Sequence, residues 1–170
     1  MSRPTAGEYN IYYDAFINLV PEGMLVDLLR KTQDDTQQWL NGVDNAKGDF
    51  AYAEGKWTIK EVIMHLIDTE QIFLTRALRI ARNDQTPNPG FDQNNYVDAI
   101  DLSDRSLLSL QKEFQAMRHL TIARFEQFQK TDLLKTGIAS NSTISVRALG
   151  YIIMGHEIHH RNVLQERYFD

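Results

Sequence analysis

Apolar residues recur at steps of three and four along four separate stretches of this 170-residue chain, a spacing that restricts it to helices packed on helices. A half-buried strand would instead alternate apolar and polar residues, and no such run is evident. In the first stretch Leu25, Leu28, Leu29, Thr32, Thr36, Trp39 and Leu40 form the stripe. Pro21 suits a first helical position and Asn41-Gly42 a stop, so a helix over about 21–41 is predicted. Thr58 followed by Glu61 carries the capping-box signature and opens a second helix, about 59–83. Its stripe is Ile59, Ile63, Leu66, Phe73, Ala77 and Ile80. Ser103 caps a third, about 104–130, and the fourth covers about 145–167. Residues 1–20 read as an irregular lead-in packed over the core, and 131–143 as a connection. The predicted architecture is all-α, an up-down four-helix bundle.

Composition narrows the classes of function. With 42% hydrophobic and 24% charged residues the chain has ordinary globular usage, and 1–170 is expected to form a single domain. Lys and Arg total 18 against 23 Asp and Glu, and a net charge of −5 opposes a phosphate backbone, so no nucleic-acid partner is expected. No apolar run approaches the length of a membrane span, and the first residues lack a signal-peptide pattern, which makes the cytoplasm the expected location. Without cysteine, a metal has only His, Asp and Glu to hold it.

The histidines carry the strongest chemical signal. His156 and His160 stand one turn apart on one helical face, in Gly155-His156-Glu157-Ile158-His159-His160. His65, inside the apolar second helix, can reach the same point, because bundle cores build metal sites from facing helices. Three neutral imidazoles leave coordination positions open, as catalytic sites require. The competing explanation is that histidines near a helix C-terminus only complement its dipole, but that needs neither the i, i+4 spacing nor His65. His119 and His159 fall off the shared face and read as surface residues. His156 to His160 also fits H-E-x-x-H, a metallopeptidase signature with Glu as base. Its extended form needs Gly at 163 and His at 166, where this chain has Val163 and Glu166. Glu157 nevertheless remains a candidate base. Asp68, one turn from His65, is the candidate acceptor for that imidazole's second N–H, ahead of Glu70, with pairing to Arg76 as the bland alternative. Trp57 and Phe73 read as core, and Arg147 and Tyr96 as distant candidates for an anionic substrate.

Lys56-Trp57-Thr58-Ile59-Lys60-Glu61-Val62, running on to His65-Leu66-Ile67-Asp68-Thr69-Glu70 with Arg76 beyond, and Gly155 to His160 together resemble the DinB-like, or YfiT-like, superfamily. The resemblance extends from about Leu19 to Tyr168. It implies a four-helix bundle with a three-histidine metal site, here His65, His156 and His160, holding one divalent ion per chain, zinc or nickel foremost, and a homodimer. Its members include metal-dependent hydrolases and S-transferases that use bacillithiol or mycothiol. The expected function is therefore S-transfer from a low-molecular-weight thiol to a small electrophile. Amide or ester hydrolysis is the alternative, and a non-catalytic metal- or ligand-binding bundle is the rival from another class.

Overall fold

A computed structural model describes residues 2–169. Among them, α1 (Asp14–Ile17), α2 (Leu25–Asn41), α3 (Ile59–Ala81), α4 (Gln93–Asp98), α5 (Leu107–Gln127), α6 (Lys130–Leu133) and α7 (Val146–Tyr168) surround one apolar core, with a hairpin of β1 (Thr136–Ala139) and β2 (Ser142–Ser145) before α7. The capping box forms as the sequence predicts: Thr58 Oγ1 accepts from the Glu61 amide at 3.2 Å, and the Thr58 amide donates to Glu61 at 2.6 Å. Two other starts differ. Helix α2 begins at Leu25 because the chain bends at Glu22-Gly23, with Gly23, a poor helix former, packed against Leu28. Ser106, not Ser103, caps α5 by accepting from the Ser109 amide, while the Ser103 amide is held by Asp101 in a preceding turn.

The four long helices α2, α3, α5 and α7 form a bundle whose connectivity is richer than a simple up-down order. Arg30 meets Glu126 and Gln111 meets the Leu40 carbonyl, so α2 and α5 are antiparallel. Leu25 lies at Gly150 and Thr36 at Arg161, which makes α2 and α7 parallel. His65 meets His156, and Trp57 meets Tyr168, so α3 runs against α7. In chain order the directions are up, down, down, up, and the consecutive pairs α2/α3 and α5/α7 sit on diagonals. Long connections make this possible, as in bundles with crossovers.

The predicted connection 131–143 contains α6 and the hairpin. Ser140 and Asn141 at its tip have φ of 49° and 62°, the left-handed pair that a two-residue hairpin loop requires. Strands of four residues are too short to announce themselves by alternation. Gly137 packs directly on Ile80, and Asn88 bridges to Ala139, which fixes the hairpin beside the C-terminal half of α3.

At the centre of the bundle, fully buried Arg118 of α5 joins all four long helices. It donates from Nε and Nη2 to the two oxygens of Glu70 at 2.8 Å each, and from Nη1 to Glu157 at 2.6 Å and to Thr32 at 3.0 Å. Burial opposes the charge on Arg118, but Glu157 and Glu70 outweigh it and raise the pKa further.

Candidate metal centre

Three side chains from two antiparallel helices meet where α3 faces α7. His65 Nε2 lies 3.0 Å from His156 Nε2, which in turn lies 3.1 Å from His160 Nε2. The candidate ligand nitrogens of all three lie within 4.8 Å of one another. Nitrogens bound to one ion at about 2.0–2.1 Å, with octahedral to tetrahedral angles, are about 3.0–3.4 Å apart, so the two separations from His156 suit a shared cation. Burial pushes His65 down to about 4. It also pushes His160 to about 3, with His65 and His159 adding to the shift. His156 is held well below its ordinary value by burial and then by its three histidine neighbours. All three rings are therefore neutral at neutral pH, the state in which imidazole is a ligand.

The surroundings fix the rings. Trp57, positioned by the capping box that follows it, packs 4.8 Å from the His65 ring and stacks on His160 at 6.5 Å, centroid to centroid. Phe16 of α1 stands edge-on to His156 and His159, 5.4 Å from each. Gly155 permits this approach, because a Cβ there would lie 2.1 Å from the Phe16 carbonyl oxygen. On the far side of His65, Thr69 Oγ1 is 3.4 Å from Nδ1. A proton on Nδ1 directed at this hydroxyl leaves the Nε2 lone pair facing the other histidines.

Two sequence-derived candidates are placed away from this centre. Asp68 is half-buried and lines a neighbouring groove with Gln71 and Ile72, its carboxyl raised by burial and by Glu113; the hydroxyl beside His65 is Thr69, a full i+4 turn along α3. Glu157 is 1% exposed and bound by Arg118, so the base role expected of it finds no support in its placement. Glu70 likewise pairs with Arg118 and not with Arg76. Of the remaining histidines, His119 is exposed, and His159 is exposed but lines the same cavity as the trio.

That cavity, about 320 Å³, is walled by Tyr12, Tyr13, Phe16, Phe73 and Phe91 and closed at one side by the three histidines. Sequence reasoning missed Arg76, Thr69 and Phe16 as parts of it. Helical phase puts Thr69 within one turn of His65 but does not set it apart from Asp68; Phe16 depends on a tertiary crossing that spacing does not encode.

The chain is thus a four-helix bundle in which three histidines converge between facing helices. Residues 28–164 match the family model of the DinB superfamily, and the chain belongs to that superfamily. YfiT from Bacillus subtilis, described as a probable metal-dependent hydrolase with an unusual four-helix bundle topology, superposes with a TM-score of 0.66 at 15% identity over 98% of this chain and 94% of its own. A mycothiol-dependent maleylpyruvate isomerase gives 0.69 at 15% identity, covering 85% of this chain and 61% of its own. A DinB-like protein of Bacillus subtilis gives 0.60 at 18% identity, covering 85% and 88%. At these identities the likeness is one of fold. No curated protein sequence matches the chain.

Proposed function

We propose that His65, His156 and His160 hold one divalent ion, zinc or nickel foremost, and that the site catalyses S-transfer from a low-molecular-weight thiol to a small electrophile. The observation that carries this reading is the convergence of three neutral imidazoles on one wall of a cavity, with no carboxylate among the lining residues. When bound, a divalent ion with only neutral ligands keeps its full charge and lowers the pKa of a thiol or water that reaches an open position. Thr69 orients His65, Trp57 and Phe16 brace the imidazoles, and the aromatic walls displace water from around the reacting groups. The thiol proton leaves to solvent, the C–S bond forms, and the bond to the leaving group breaks. Since the chain has no cysteine, the sulfur comes from a cosubstrate.

A second reading, metal-dependent hydrolysis of an amide or ester, has the description of YfiT in its favour, since the two chains share their fold over nearly their whole lengths. The experiment that separates the two incubates metal-loaded protein with a panel of small thiols and a chloro-alkyl fluorogenic acceptor, beside ester and amide substrates, with His65→Ala as control. Thiol conjugation faster than in the variant supports S-transfer. Metal-dependent cleavage without any conjugation replaces that reading with hydrolysis.

A further inference from the structure

Arg76 is 3% exposed, yet no carboxylate among the described residues pairs with it. Every other deeply buried arginine of the bundle has its counter-ion: Arg118 has Glu70 and Glu157, and Arg147 has Glu8. The guanidinium of Arg76 instead donates to the Pro89 carbonyl at 2.6 Å and lies between two rings, 5.5 Å from the centroid of Phe73 and 5.8 Å from that of Phe91. Tyr13, by a side-chain hydrogen bond, and Tyr96 also act on it, Asp68 and Arg79 line the groove it shares on the other side, and burial pushes its pKa down from the ordinary value. An uncompensated buried cation is costly, and a guanidinium has five N–H donors in a planar fork, of which the protein takes only part.

This charge lies on the cavity of the histidine centre. Phe73 spans the interval, with its ring 6.5 Å from the His156 ring on one side and the guanidinium on the other. We propose that Arg76 is the anion-recognition residue of this site and binds the carboxylate of a small aromatic or unsaturated molecule whose reacting end lies at the three histidines. A planar carboxylate matches the fork in two parallel hydrogen bonds, and the aromatic walls accept a flat apolar body. The choice of substrate class rests on the metal-enzyme reading above, whereas the binding of the anion does not.

The probe is benzoate, titrated calorimetrically into metal-loaded protein with benzamide as its neutral counterpart. Wild type is expected to bind benzoate at least about tenfold more tightly than benzamide, and Arg76→Gln to lose that preference, as removal of a charge-assisted pair implies. Arg76→Lys keeps the charge without the fork and falls between, which also serves if the Gln variant is unstable. Benzoate affinity unchanged in both Arg76 variants but abolished in His160→Ala would overturn the proposal, because the anion would then sit on the metal. So would the absence of any benzoate preference in wild type. Mercaptoacetate against its methyl ester, and 4-(chloromethyl)benzoate against its methyl ester, identify whether thiol or acceptor carries the carboxylate. A failure of all thiol conjugation with Arg76-dependent benzoate binding intact would remove the S-transfer reading and leave the anion site standing.

Discussion

The orientation of His65 depends on a single hydroxyl. Thr69 is buried, and its Oγ1 stands 3.4 Å from Nδ1, so Thr69→Val keeps the shape and removes the acceptor. Loss of such a partner typically weakens metal affinity about 10- to 100-fold, and the length of this contact puts the expectation near tenfold. Asp68→Asn, on the neighbouring groove, is expected to change affinity by less than about twofold on the same argument. Competition titration with a chromophoric chelator measures both; equal losses in the two variants would restore Asp68 to the role its sequence position suggested. The difference between these residues is one of phase. At i+3 and i+4 from His65 both lie on its side of the helix, and the fold turns Asp68 to a groove lined by Pro89 and Tyr96 and Thr69 to the ring, a choice that a single sequence does not specify.

Among the elements, α1 and the segment before it act as a strap across α7. Gly155 lets the backbone of α1 reach α7 at a distance where any side chain would collide with the Phe16 carbonyl. Because the obstacle is backbone, Gly155→Ala is expected to displace α1, at about 1–3 kcal/mol as overpacking typically costs, and to lower the midpoint of thermal unfolding. An unchanged midpoint would mean that the strap does not pack there. The same strap is tied at its other end by Glu8, which accepts from Arg147 and Ser145. Burial raises the Glu8 pKa, but Arg147, the Thr5 amide and Ser145 more than reverse this and bring it to about 2 from 4.5. A carboxyl lowered in the folded state stabilises above its unfolded pKa, so this contribution is full above pH 4.5 and is lost as pH falls toward 2. The stability difference between wild type and Glu8→Gln, from urea midpoints, should therefore shrink over that interval; a constant difference would contradict the pairing. That residues 1–20 pack over the core was legible, but α1 and its crossing of α7 were not, since the aromatics lack helical spacing and the crossing joins residues more than a hundred positions apart.

For the whole molecule, the four long helices followed from their apolar periodicity, and His65 with His156 and His160 from one spacing on one helix and one isolated position on another. The order of helices around the bundle did not follow, because periodicity gives each helix a buried face but not the neighbour that covers it. The Glu70–Arg118–Glu157 network shows why: in sequence Glu70 and Glu157 stand out only beside the histidines and Arg118 not at all, yet the three occupy the centre and, with Thr32, join all four helices. Arg118→Met leaves two buried carboxylates without their cation and is expected to cost about 3–5 kcal/mol in urea unfolding. Replacing Glu70 and Glu157 with Leu in the same protein should recover most of that loss; a triple variant as unstable as the single one would assign the cost to packing instead.

Whether His65, His156 and His160 of α3 and α7 hold one ion together is decided by metal-to-protein stoichiometry after loading with zinc or nickel and removal of free ion. About one ion per chain is expected in wild type and in His119→Ala, whose imidazole is exposed on α5, and a large loss in each of His65→Ala, His156→Ala and His160→Ala, since structural and catalytic sites alike need at least three protein ligands. Full wild-type stoichiometry in His160→Ala would contradict the shared site.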